Sequence, residues 1–234
     1  MFNVNKENYE SKLGYNVISD ADPLSVITEQ YRKLRTNIEF SDFNKSYKLL
    51  NVTSTFKGEG KSVTVLNLGA VYAQSNMKTL IIDMDIRRPK VHRAFKLSNA
   101  TGLTNIVTEG LSVDSVIQTV NENLDVLTAG KKLPYPSEFL MSKQLKEIIE
   151  SLKEKYDKII VDTPPITAVA DANIVSNLMD GTIMVVGSRV TNLDDAKAAI
   201  KQLKDNGGNI IGGVLTRIRK KDNNYANYYY AYKE

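Results

Sequence analysis

Leu49-Leu50-Asn51-Val52-Thr53, followed by Ser54-Thr55-Phe56-Lys57-Gly58-Glu59-Gly60-Lys61-Ser62, is an apolar run of strand length that empties into a glycine-rich turn closed by lysine and serine. A helix-period segment, Lys61 to Gln74, comes next, and strand, loop and helix in that order are the context of a phosphate-binding loop. Gly58 and Gly60 let the backbone turn its N–H groups inward, and the helix N-terminus adds the positive end of its dipole. Lys61 is then placed to reach the β and γ phosphates of a nucleotide, and Ser62 to offer its hydroxyl to Mg²⁺. Lys57, Gly58, Glu59, Gly60, Lys61, Ser62 and Val63 are the candidate nucleotide-binding residues. Thr55 stands where the pattern has its first glycine, so the segment alone also reads as a plain strand-turn-helix joint.

Outward from this loop, apolar runs recur at Thr79 to Ile82, Leu124 to Leu127, Lys158 to Val161, Thr182 to Val186 and Ile210 to Leu215. Helical segments lie between most of them: Pro23 with Ser25 opens one that runs to Phe40, and Ser142 to Tyr156 and Asn192 to Asp205 are others, the last stopped by Gly207-Gly208. Ile159-Ile160-Val161 and Ile183-Met184-Val185-Val186 are apolar at every position, as strands buried on both faces are. The expectation is an α/β fold of the P-loop NTPase type, a mostly parallel sheet flanked by helices on both faces. It occupies residues 21–216, between a flexible N-terminal arm at 1–20 and a tyrosine-rich C-terminal tail at 217–234. In such sheets ligands bind beyond the carboxyl ends of the strands.

Two more strands end in acid at that edge. Leu80-Ile81-Ile82 runs into Asp83-Met84-Asp85-Ile86-Arg87, and Ile159-Ile160-Val161 into Asp162-Thr163-Pro164-Pro165. A single strand-end Asp is commonly a cap or turn former. Three carboxylates beside a triphosphate, however, would repel it unless a divalent cation came between them, which makes Ser62, Asp83, Asp85 and Asp162 the candidate Mg²⁺ residues.

With 42% hydrophobic residues in 234, the chain can fill one core. The absence of cysteine excludes disulfides and thiolate chemistry, and suits a reducing compartment. No run of eighteen apolar residues occurs, and Met1 to Lys12 is polar and charged, so neither a membrane span nor a secretory signal is expected. The net charge of +4 is concentrated toward the C-terminus, at Arg217, Arg219, Lys220, Lys221 and Lys233. Such an end suits nucleic acid, anionic lipid or an acidic partner equally. His92 is expected on a helix surface and has no assigned role.

The order of the three motifs, the Glu29-Gln30-Tyr31-Arg32-Lys33-Leu34-Arg35 helix before them and the tyrosines after them resemble the bacterial tyrosine kinases of capsule and exopolysaccharide biosynthesis. The resemblance covers about residues 23 to 234, and its most specific part is Asp83-x-Asp85-x-Arg87. It implies an ATP- and Mg²⁺-dependent protein-tyrosine kinase in which Lys61 and Ser62 bind nucleotide, Asp83 is the catalytic base, and Lys61, Asp85 and Arg87 complete the catalytic set. Asp85 and Asp162 match the residues of the magnesium shell. The chemistry agrees, because a tyrosine hydroxyl titrates near pH 10 and benefits from a carboxylate that takes its proton as the new bond forms. One departure concerns the base: members often carry Asn after the last strand, where it can touch adenine, and this chain reads Leu215-Thr216-Arg217.

By the same resemblance Tyr225, Tyr228, Tyr229, Tyr230 and Tyr232 are the phosphorylation sites, modified by neighbouring subunits. Glu29, Arg32 and Arg35 are the interface of a homo-oligomeric ring, although a solvated, salt-bridged helix face gives the same pattern. The implied partners are a membrane-anchored activator or chain-length regulator, acting through its cytoplasmic tail, and a cognate tyrosine phosphatase. No nucleic acid is expected. The implied location is the cytoplasm, peripheral at the inner face of the membrane. Pro134-Tyr135-Pro136-Ser137-Glu138 is similar to a family loop of Pro-x-Pro form and reads by itself as a rigid turn. The rival function is a nucleotide-dependent switch of the MinD and ParA type, which has a signature lysine where this chain has Phe56 and does not account for the tyrosines. A module in which nucleotide is only structural is a third possibility.

Overall fold

The computed structural model describes residues 17–41 and 47–218. They form seven strands: β1 (Leu49–Ser54), β2 (Thr79–Asp83), β3 (Gln118–Asn121), β4 (Leu124–Leu127), β5 (Lys158–Asp162), β6 (Gly181–Gly187) and β7 (Ile210–Thr216). One sheet holds them in the order β3-β4-β2-β5-β1-β6-β7, parallel throughout except that β3 runs antiparallel to β4. The six strands read from the sequence are present, several of them a residue or so longer. The edge strand β3 escapes an apolar pattern because Gln118-Thr119-Val120-Asn121 offers one aliphatic side chain in four.

Alternation along the strands divides their side chains between two layers. Leu49, Leu80, Ile82, Ile159 and Val161 enter one core, whereas Leu50, Val52, Ile81 and Ile160 enter the other. This is why the central strands are apolar at every position. The helices are α1 (Ile18–Ala21), α2 (Val26–Glu39), α3 (Lys61–Ala73), α4 (Val91–Ala94), α5 (Leu103–Glu109), α6 (Val113–Val116), α7 (Pro136–Leu140), α8 (Lys143–Lys155), α9 (Asp171–Ser176) and α10 (Leu193–Asp205). Ser25, Ser142 and Asn192 cap α2, α8 and α10 by accepting backbone N–H bonds from Thr28, Leu145 and Asp195. Each such cap contributes about 1 kcal/mol.

The α3 helix, which follows the glycine-rich loop, lies between the sheet and the α1–α2 pair, and every residue from Thr64 to Ala73 is buried. It approaches β2 so closely that a β-carbon on Gly69 would sit 2.6 Å from Ile81 Cδ1. The α1 helix falls at the end of the segment assigned to the N-terminal arm. Ser19 is buried there, and its N–H and hydroxyl both donate to Asn67 Oδ1 on α3, at 3.0 and 3.1 Å. The five C-terminal tyrosines, Tyr225, Tyr228, Tyr229, Tyr230 and Tyr232, lie outside the described residues. No described helix is long and apolar enough to cross a membrane.

Candidate active site

The loop between β1 and α3 turns through Gly58 at φ +87° and Gly60 at φ +95°, a left-handed backbone that side chains disfavour. Glu59, between them, points away from the cavity. Its carboxylate accepts the N–H groups of Phe56 and Gly187, both at 2.7 Å, and the Thr191 hydroxyl. Glu59 therefore ties the loop to the end of β6, and its carbonyl accepts the Thr216 hydroxyl from the end of β7. Its link to any nucleotide is through the shape of the loop.

Lys61 and Ser62 open α3, where the side chains meet the acidic strand ends. The Lys61 ammonium lies 3.1 Å from Asp162 Oδ1 and 3.2 Å from Asp85 Oδ2, and the Ser62 hydroxyl donates to Asp162 Oδ2 at 2.6 Å. In the parallel register Asp83 stands directly beside Asp162, so the last residues of β2 and β5 bring two carboxylates together. Asp83 is fully buried and accepts N–H bonds from Asp85, Lys90 and Val91. Asp85 lies two residues further on and reaches the cavity wall, which Asp83 does not.

Burial, and after it the adjacent Asp162 charge, push the Asp83 carboxyl up to about 7 against the pull of the Val91 and Lys90 amides. Burial also raises Asp85, and Lys61 opposes it. Lys61 itself would be lowered by burial, yet Asp162 and Asp85 more than offset this and raise it. Asp85 and Asp162 thus share the Lys61 ammonium while Asp83 stands beside Asp162, a concentration of negative charge that a divalent cation would relieve. Among the described residues no three His, Asp or Glu groups form a metal cage by themselves. The hard oxygens of Ser62, Asp85 and Asp162 nevertheless suit Mg²⁺, which is commonly bound by one or two carboxylates together with the phosphates it accompanies.

Lys61, Ser62 and Asp85 line an open cavity of about 610 Å³, a size suited to a nucleotide, with Asp83 and Asp162 buried behind them. Lys57, Arg87, Arg88, Lys90 and Arg217 also line it, and give a basic rim above the acidic floor. Arg87 is held by Asp171 at the start of α9, with Nε 2.7 Å from Oδ2 and Nη2 3.2 Å from Oδ1. Asp171 also accepts the Ser137 hydroxyl at 2.7 Å, so the Pro134 to Glu138 segment, which leads into α7, is fastened to the same ion pair. The sequence reading did not single out Asp171, because an acidic residue opening a helix ordinarily reads as a dipole partner. It also left Arg217 unassigned. In the fold that side chain approaches the loop, its Nη2 3.7 Å from the position of a β-carbon on Gly58.

Of the remaining candidates, Lys57, Gly58, Gly60, Lys61, Ser62 and Val63 all line the cavity. Glu29, Arg32 and Arg35 lie on α2, away from it. Arg32 pairs with Glu29 at 3.3 Å, whereas Arg35 donates to the Val71 carbonyl of α3 at 2.6 Å. His92 sits on α4, half-buried, with Nδ1 unpaired.

A family model described as an AAA domain matches residues 48–205. The tyrosine-protein kinase YwqD of Bacillus subtilis is 41% identical over 96% of this chain and 95% of its own length. The crystal structure of the chimerical protein CapA2B2 superposes with a TM-score of 0.84 at 33% identity, covering 92% of this chain and all of that one. The kinase domain of the Escherichia coli tyrosine kinase ETK gives 0.85 at 30% identity, covering 93% of this chain and 86% of that one. The septum site-determining protein MinD of Pyrococcus horikoshii gives 0.63 at 23% identity over 75% of this chain and 73% of its own, a likeness of fold alone.

Proposed function

We infer the reaction from one premise: this chain belongs to the bacterial tyrosine kinases of capsule and exopolysaccharide biosynthesis. The reaction is transfer of the γ-phosphoryl group of ATP to protein tyrosine, with the C-terminal tyrosines of neighbouring subunits as substrates. The observation that carries this reading is the convergence of the Asp83, Asp85 and Asp162 strand ends on Lys61 and Ser62 beneath a basic rim. Against the MinD-type alternative, the identity to the kinases extends over nearly the whole chain.

The loop amides and Lys61 bind the β and γ phosphates, and Lys57, Arg87 and Arg88 balance the remaining charge. Ser62, Asp85 and Asp162 would hold Mg²⁺, which when bound would supply charge neutralisation at the phosphate oxygens. Asp83 receives the proton of the attacking tyrosine, a role that its raised carboxyl favours. Asp85 is the second candidate for that step, because it reaches the cavity and Asp83 does not. Residues 21–216 form the kinase domain and 217–234 the substrate tail. The activator tail, the phosphatase, the ring and the membrane-peripheral location belong to the same proposal, and the family membership supports them.

Incubating the full chain with Mg·ATP and probing for phosphotyrosine tests it. The parent should be labelled, Lys61→Met should not, and Asp83→Asn should bind nucleotide while labelling slowly. Equal labelling of the parent and Lys61→Met would overturn the site. Full-rate labelling by Asp83→Asn together with loss in Asp85→Asn would move the base to Asp85.

A further inference from the structure

An acceptor tyrosine must present its hydroxyl to a second active site, and the described tyrosines differ sharply in whether they can. Tyr72 is fully buried and donates to Glu39 at 2.7 Å, and Tyr156 is 5% exposed and donates to Asp125 at 2.8 Å. Tyr47 is 9% exposed, and Tyr31 is half-buried with its side chain bonded to Thr64. Tyr135 is 68% exposed, and its hydroxyl has no partner among the described residues.

Its backbone is held firmly. Pro134 and Pro136 flank it, the buried Phe139 and Leu140 anchor α7, and Ser137 is bonded to Asp171. The same Ser137 hydroxyl lies 3.4 Å from Arg87 Nη2, so Tyr135 stands two residues from a side chain that touches the wall of the nucleotide cavity. A segment fixed in this way cannot carry the ring into its own cavity. It does present the ring outward, with little conformational entropy to lose on docking.

We propose that Tyr135 is a phosphorylation site of the kinase domain itself, separate from the tail and modified by a second copy of this chain. The proposal rests on the kinase reading above. The phenol oxygen bonds to the γ-phosphorus of the donor copy's nucleoside triphosphate, the bond to the bridging oxygen breaks, the nucleoside diphosphate leaves, and the phenol proton passes to the donor's catalytic carboxylate.

The sequence makes a clean test available, since tryptic cleavage after Lys132 and Lys143 releases a peptide, Leu133 to Lys143, in which Tyr135 is the one tyrosine. Full-length Lys61→Met chain is mixed with active Tyr135→Phe chain and Mg·ATP, and the digest is read by mass spectrometry. A phosphorylated Leu133 to Lys143 peptide then comes from the inactive copy alone. It should appear, at a rate that rises about tenfold for a tenfold rise in donor concentration. Label on the tail with this peptide unmodified would overturn the proposal and leave the kinase reading standing. Label on Tyr135 in the parent but never in the mixture would overturn delivery by a second copy. Absence of phosphotyrosine from every digest would overturn the kinase reading and this proposal together.

Discussion

Asp171→Asn separates holding the fold from orienting Arg87. Asp171 is 1% exposed and Arg87 40% exposed at the side chain. A buried hydrogen bond to a charged group contributes about 1.5–3 kcal/mol, and a surface ion pair about 0–1 kcal/mol. With one partner buried and the other partly solvated, the loss falls between these, at about 1.5 kcal/mol. An asparagine keeps one acceptor oxygen but turns a donor toward either the guanidinium or Ser137. For a domain of this size the loss lowers Tm by roughly 3–6 °C. A freed Arg87 no longer points into the cavity, and a loss of about 10- to 100-fold in turnover corresponds to about 1.4–2.8 kcal/mol at the transition state. Thermal melts, binding of a fluorescent nucleotide and initial rates of phosphotyrosine formation at saturating Mg·ATP measure the three quantities separately. A lowered Tm with turnover within twofold of the parent would refute the positioning role and leave Asp171 a structural residue. Turnover that falls while nucleotide affinity is kept is the result the geometry requires. Ser137→Ala, which removes one leg of the arrangement, should lie between the two.

Two other consequences concern α2. Lys158 is 2% exposed, and its ammonium bonds Glu39 at 2.8 Å and the Tyr47 carbonyl at 2.7 Å while lying over the Tyr72 ring. Burial alone would raise the Glu39 carboxyl, but the Lys158 and Tyr72 hydrogen bonds outweigh it and hold the group below the usual glutamate range. Its contribution is therefore present above the ordinary glutamate value and disappears as the pH falls through the lower folded value. Glu39→Gln should cost about 1–2 kcal/mol in urea unfolding at neutral pH, with the difference closing in acid; a difference that persists there would refute the assignment. Replacing Glu29 and Arg32 with Ala removes a half-exposed intrahelical pair worth about 0.3–0.5 kcal/mol, so stability should hardly move. If α2 joins subunits, light scattering will report a smaller assembly, whereas unchanged mass would restore the solvated face. Arg35 is left intact in that test because its bond to the Val71 carbonyl fastens α2 to α3 within one chain.

The sequence by itself determined the parallel sheet, the loop and the acidic strand ends, because each is a local pattern. Buried strands such as Ile159-Ile160-Val161 must be apolar on both faces, caps such as Ser25, Ser142 and Asn192 announce their helices, and Gly58 and Gly60 mark a backbone that other residues disfavour. Strand-end position likewise put Asp83 and Asp162 at the loop edge before any packing was known. Tertiary structure alone decided which acids face the cavity and which are buried behind it. The register of β2 against β5 sets Asp83 beside Asp162, and two further residues carry Asp85 to the wall. It also turned Glu59 toward β6, and it brought together Arg87, Ser137 and Asp171, residues 34 to 84 positions apart in sequence. The reason is physical: periodicity and turn chemistry act between near neighbours along the chain. Ion pairs and pKa shifts depend on distances that exist only once separate elements have packed.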